Sequence, residues 1–192
     1  MIQTEGIFVG GSAISAPIIG EDFNWSGGDG TYQVLDDGGG NWRIKFLSSG
    51  TFTPLKNMVI DVFLVGGGGG AGSSYCGAGG AGYTTTVRSV VVAANTAYPI
   101  VVGAAGTQTY TVQSDGGTSS AFSAVANGGH HSVSGDKTWK KTGANGGSGG
   151  GGQYADGGTD GSDGATGDTA GGKGQGTTTR EFGEADGDLY AS

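Results

Sequence analysis

Glycine returns at every third position in GGTDGSDGATGDTAGGKGQG, residues 157–176, through Gly158, Gly161, Gly164 and Gly167 and again at Gly171 and Gly174. The same spacing runs through Gly143, Gly146, Gly149 and Gly152, and in shorter form through Gly66, Gly69, Gly72 and through Gly77, Gly80. A tract of this kind has almost no side chain that can fill a core, so any order in it must come from the backbone. A polyproline-II-type helix turns every three residues, rises ~3.1 Å per residue and has no internal hydrogen bonds. Glycine at that period leaves one edge bare, and neighbouring helices can then meet and pair N–H with C=O, as buried backbone requires. The expectation is packed polyglycine-II helices in the C-terminal third. Disorder is the rival outcome, because glycine loses more conformational freedom on ordering than any other residue.

Two other readings of the period fail. Collagen needs abundant proline to pre-set its chains, and the sequence has 3 prolines against 46 glycines in 192 residues. The calcium-binding β-roll repeat needs a large apolar residue in each turn, which GGTDGSDGA lacks. Asp156, Asp160, Asp163 and Asp168 therefore read as solvated charges rather than metal ligands.

Upstream, the pattern is that of β structure. In NWRIKF, Trp42, Ile44 and Phe46 alternate with Arg43 and Lys45, the period of a half-buried strand with its charges toward water. DDGGG before it is a turn, so Tyr32–Leu35 and Trp42–Leu47 form a hairpin. MVIDVFLV (58–65) is apolar on both faces and reads as a central strand. YTTTVRSVVVAA (83–94), AYPIVVGAAG, TYTVQS and SSAFSAVA supply further strands. Nothing has a helical face. The fold class is all-β, an antiparallel β-sandwich or jelly-roll-like sheet pair with glycine-rich loops. Residues 1–30 read as an N-terminal arm or attachment segment, 31–125 as the β scaffold, and 126–192 as a glycine-rich region packed on or extending from it.

A net charge of -8 argues against a general nucleic-acid binder. No apolar run is long enough to cross a bilayer and the chain opens without a secretory signal. Gly67, Gly69 and Gly72 match a dinucleotide-binding fingerprint, but SSYCGAGGAGYTTTV cannot be the helix that this mechanism needs, and no acidic residue occurs between Asp61 and Asp115. GGSGG lacks the flanking strand and helix of a nucleophile elbow. Adjacent His130 and His131 would point to opposite faces of a strand and so chelate one ion poorly. Cys76 reads as a small packed thiol. No catalytic residue, cofactor or metal site is expected, and the chain reads as no enzyme.

The segment GGHHSVSGDKTWKKTG stands apart. An exposed Trp139 beside Lys140, Lys141, His130 and His131 suits stacking on a sugar or anchoring a protein contact; the bland alternative is a tryptophan packed under its loop. Tyr75 and Tyr154, each set in glycine, are weaker candidates for the same role.

The ordered succession NWRIKFLSSGTFTP, IDVFLVGGGGGAG, GAGGAGYTTTV, YPIVVGAAG, DGGTSSAF and GQGTTTREFGEADGDLYA resembles the glycine-rich domain of bacteriophage tail-fibre and tail-tip proteins, over most of residues 32–190. The resemblance implies a β-structured base with glycine-rich loops that contact the host surface. It implies a virion protein of the tail fibre, tail tip or baseplate that recognises a host without covalent chemistry, released by lysis and so needing no signal. Its partners would be other virion proteins and a host cell-surface glycan or protein, without nucleic acid or membrane insertion. A homo-oligomer is open, with a trimer favoured. The alternatives are a filament, decoration or assembly protein that binds only virion partners, a bacterial cell-surface adhesin, and, disfavoured, a polysaccharide-degrading enzyme.

Overall fold

The computed structural model describes residues 6–12, 16–72, 76–109, 112–132, 143–147, 149, 150, 152, 180–184, 188 and 190. Ten strands form two antiparallel five-stranded sheets. The first has the order β3(Tyr32–Gly38), β4(Asn41–Phe46), β1(Gly6–Ser12), β6(Met58–Val65), β7(Thr84–Val92). The second has the order β10(Ala124–Ala126), β9(Ser119–Ala121), β8(Tyr98–Val101), β5(Gly50–Pro54), β2(Phe23–Trp25). The expected all-β, sandwich-like fold is what the chain adopts.

Two-residue alternation sends Ile7 and Val9, Trp42, Ile44 and Phe46, and Ile60, Val62 and Leu64 into one shared core. From the opposite sheet they meet Phe23, Phe52 and Ile100. Phe46 and Phe52 lie edge to face across it, with ring centroids 5.8 Å apart. The DDGGG turn closes the β3–β4 hairpin. Gly38, Gly39 and Gly40 all take φ between 62° and 83°, which glycine adopts without a Cβ penalty, and Asp36 Oδ1 accepts from Gly38 N at 2.9 Å.

Four expectations change. Residues 1–30 do not form a separate arm throughout: Gly6–Ser12 is the middle strand of the first sheet, paired with β4 on one side and β6 on the other, and Phe23–Trp25 is an edge strand of the second. Ile7 and Val9 are apolar enough to be core, but interrupting glycines hid the strand. SSAFSAVA is two strands, β9 and β10, joined by a tight turn in which Phe122 (φ 48°) and Ser123 (φ 65°) are both left-handed. Lys45 alternates as predicted yet is only 3 % exposed. The reason is the fourth change: the glycine-dominated last third supplies a core of its own. Phe182 and Tyr190 pack on Phe8, Phe63 and Val65 over the outer face of the first sheet. Tyr190 meets Phe8 and Phe63 at ring-centroid distances of 5.3 and 5.5 Å, and Lys45 Nζ sits 5.2 Å above the Phe8 ring. This C-terminal strap explains why β6 is apolar on both faces.

Candidate binding platform

Beyond the sheets, six glycine-rich segments run side by side among the described residues: 66–72, 76–83, 103–107, 114–118, 127–132 and 143–147. None of them belongs to a named strand, yet backbone hydrogen bonds join them densely, and where two segments share more than one such bond the bonds recur every third residue. Gly67 N donates to Gly117 O at 2.9 Å and Gly70 N to Ser114 O at 3.0 Å. Gly129 N donates to Gly67 O at 2.9 Å and Ser132 N to Gly70 O at 3.0 Å. The pairs Gly66–Tyr83 and Gly69–Gly80, Tyr83–Asn127 and Gly80–His130, and Ala144–Ala78 and Gly147–Ala81 repeat the pattern.

These pairings fix directions. The segments 66–72, 103–107 and 127–132 leave the sheets, following β6, β8 and β10. The segments 76–83 and 114–118 lead back into β7 and β9, and 143–147 runs parallel to 78–81. In sequence these segments are joined through 73–75, 108–113 and 133–142.

Glycine serves here by having no side chain. None of the segment glycines has positive φ. A Cβ on Gly66 would fall within the Asn127 carbonyl, one on Gly69 within that of His130, and one on Gly80 within that of Asn145. The neighbouring Gly68 is different: the nearest atom to its Cβ position is Gly80 O, at 3.9 Å.

Two buried serines tie the segments at their ends. Near the sheets, Ser119 Oγ donates to Val65 O at 2.6 Å and accepts from Gly103 N at 2.9 Å. At the remote end, Ser132 Oγ donates to Gly77 O at 2.5 Å and accepts from Gly72 N at 2.9 Å. On the flank, Asp115 joins segments 114–118 and 127–132. Its Oδ1 accepts from His131 N at 2.8 Å and meets His131 Nδ1 at 2.5 Å, while Oδ2 lies 3.1 Å from His130 Nδ1. The backbone and side chain of His131 hold the Asp115 carboxyl down at about 2, ahead of the lesser effect of His130.

His130 and His131 are thus brought together, against the expectation of opposed side chains. Segment 127–132 is not a strand, so two-residue alternation does not govern it. Trp139, Lys140, Lys141, Tyr75 and Tyr154 lie outside the described residues. Among the described residues no group of three or more His, Cys, Asp or Glu can hold a metal ion. Gly67 and Gly69 of the dinucleotide-like motif are interior lattice positions. Asp115, Ser119 and Ser132 were missed by sequence reasoning, and no local motif marks them: each acts on backbone more than a dozen residues away.

A cleft of about 630 Å³ lies beside the strap, lined by Asp37, Arg43, Asp61, Glu181, Phe182 and Asp188 among others. Arg43 forks onto Asp37 at 2.6 and 2.7 Å. Its Nη1 also lies 2.6 Å from Glu181 Oε1, although that oxygen has no well-aligned hydrogen bond. Burial raises the Glu181 carboxyl above its usual range, with Arg43 opposing the shift. The guanidinium spends its aligned bonds on Asp37, so Glu181 is incompletely compensated. Arg88 holds the strap from the other side, donating to Phe182 O at 2.6 Å and to Asp61 Oδ2 at 2.7 Å.

A family model described as a glycine-rich domain matches residues 47–190. The chain belongs to this family. No curated protein and no solved structure gives a significant match. The glycine-rich domain match takes in β5 to β10, the six segments and the strap. It begins after β4, so β1, β2, β3 and β4 lie ahead of it, yet β1 pairs directly with β6 inside it. Among the described residues no helix is long and apolar enough to cross a membrane.

Proposed function

We propose that this glycine-rich domain is a display platform of a phage virion, in a tail fibre, tail tip or baseplate, that recognises a host-surface glycan or protein without covalent chemistry. The observation that carries the reading is the three-residue recurrence of bonds between segments. The same recurrence is expected of polyproline-II-type helices packed on their bare edges, and such packing would make a stiff stalk out of backbone alone. A stalk with three connecting segments suits recognition, because loops on a rigid scaffold can vary without cost to the fold. Tyr75 falls in the first of these connections, and Trp139, Lys140 and Lys141 in the third. Aromatic and basic groups of this kind anchor contacts to sugars and acidic surfaces. Several weak contacts suffice where many copies act together, as in a trimer or on one virion.

The test is binding of the labelled full chain to bacterial cells and to purified cell-wall glycans, with Trp139→Ala and Lys140→Ala/Lys141→Ala as variants. The expected result is saturable binding that both variants weaken at least ~10-fold, which is more than ~1.4 kcal/mol. Binding only to virion proteins would instead favour the filament or assembly reading. Release of reducing sugar would overturn the non-enzymatic reading.

A further inference from the structure

We infer that Asp115, His130 and His131 form an acid-strengthened clasp that tightens the glycine platform when the surroundings turn mildly acidic. The clasp joins two segments of opposite direction, 114–118 and 127–132. Backbone bonds cross between the same two segments, including Gly116 N to Gly129 O at 2.9 Å. Both imidazole Nδ1 atoms converge on one carboxylate. All three side chains remain accessible, with exposures of 57 % for His130, 39 % for His131 and 49 % for Asp115.

What isolates this cluster is the emptiness around it. The facing segments read GGGGGAG (66–72), CGAGGAGY (76–83), GAAGT (103–107) and GANGG (143–147), without a single Asp, Glu, Lys, Arg or His. The segments that carry the clasp add no other charged residue within 114–118 or 127–132. Among the described residues of these segments, the charge between mild acid and neutrality is therefore carried by three groups. Asp115 stays ionised far into acid. Histidine in general changes charge between about pH 5 and 8. With neutral rings, the ionised Asp115 carboxylate already receives charge-assisted N–H bonds. With charged rings, the same contacts gain the modest attraction of an exposed ion pair. Lower pH thus tightens the contact, until Asp115 itself is protonated.

The experiment is amide hydrogen exchange of the full chain at pH 8 and pH 5.5, corrected for the intrinsic pH dependence, on the wild type, on Asp115→Asn and on His130→Gln/His131→Gln. In the wild type, protection of the Gly116 and Gly129 amides should rise about two- to five-fold toward pH 5.5, the size expected for exposed ion pairs. The amide of Val9 in β1 should show no such rise. In both variants the rise at Gly116 and Gly129 should vanish. Should Asp115→Asn fail to fold, the double histidine variant carries the comparison alone. Protection that is flat or falling toward acid in the wild type, or a rise that survives in either variant, overturns the inference.

Discussion

Alanine at position 69 should be far more damaging than alanine at position 68, although both positions lie in one run of five glycines. The Gly69 Cβ position is occupied by the His130 carbonyl, with Gly129 O a further 2.8 Å contact. Segment 127–132 would have to retreat by ~1 Å or more to restore ordinary contact. That movement breaks into a connected set of bonds: Gly69 N to Gly80 O at 2.8 Å, Gly80 N to His130 O at 2.9 Å and His130 N to Asn145 O at 2.9 Å. Losing two of the three, at ~1–3 kcal/mol for each buried backbone group left unpaired, gives a cost of about 2–6 kcal/mol. The smaller unfolded-state entropy of alanine returns only ~0.4–1 kcal/mol. At Gly68 the Cβ meets Gly80 O at 3.9 Å, an ordinary contact. There the entropy term stands alone, and Gly68→Ala should be neutral or stabilising by up to ~1 kcal/mol. Urea denaturation of the two variants and the wild type, followed by tryptophan fluorescence and by far-UV circular dichroism, separates the cases. If Gly68→Ala and Gly69→Ala fall within ~0.5 kcal/mol of each other, backbone interlock is not what these glycines provide, since a difference of that size is ordinary for surface substitutions.

Ser132→Ala strands Gly72 N–H and the Gly77 carbonyl in a buried place, and should cost ~1–3 kcal/mol in the same denaturation assay, with faster exchange at Gly72. Ser123→Gly relieves a left-handed, exposed non-glycine residue (φ 65°) and should raise stability by about 1 kcal/mol, seen as a higher Tm. Phe182→Ala empties the centre of the strap core and should cost ~3–5 kcal/mol of strap docking, read as new protease cleavage between residues 180 and 190 while the sandwich stays folded. Lys45→Met replaces a buried ammonium whose close contact is the Phe8 ring and should be neutral or stabilising by about 1 kcal/mol. Burial lowers the Lys45 pKa, so the unfolded chain binds more protons just below its usual value of about 10.4, and wild-type stability should rise with pH there; the methionine variant should lack that rise.

The sandwich was legible because alternation is a local signal. NWRIKF and MVIDVFLV declare their faces within a few residues, and DDGGG declares the turn beside them. The position of β1 was not legible, since Gly10 and Gly11 interrupt its pattern and its two neighbours, β4 and β6, lie far along the chain. The burial of Lys45 was hidden for a related reason: its cover, Phe182 and Tyr190, comes from beyond the glycine tract. The clasp shows the same limit at a finer scale. Reading His130 and His131 as strand neighbours gave opposed rings, whereas their segment follows the register of glycine neighbours, and Asp115 reaches both. The packed polyglycine-II helices expected in the C-terminal third fall mostly outside the described residues, but a three-residue recurrence of bonds does join the described glycine segments. The described residues carry that period mainly between 66 and 132, ahead of the tract at 157–176 from which it was first read.

This lattice also dictates where chemistry can be placed. The backbone interlock leaves no room for a side chain at Gly66, Gly67, Gly69, Gly70 or Gly80, and the buried Ser132 is placed where its hydroxyl ties two segments. Substitution within the segments is therefore confined to outward positions and to their ends. The outward positions include His130, His131 and Asp115, all partly exposed, and the ends lead in sequence into 73–75, 108–113 and 133–142. A fold of this construction separates its two tasks more sharply than an ordinary sandwich does. In a sandwich, core side chains and surface side chains alternate along each strand, so a change in one readily disturbs the other. Here most holding positions have no side chain to change, and side chains at outward positions can change while the backbone bonds beneath them stay the same. That separation is the physical reason for preferring a recognition role over a purely structural one, and it ties the choice to the contrast between Gly68 and Gly69: if inward positions tolerate alanine, the separation does not exist and the preference goes with it.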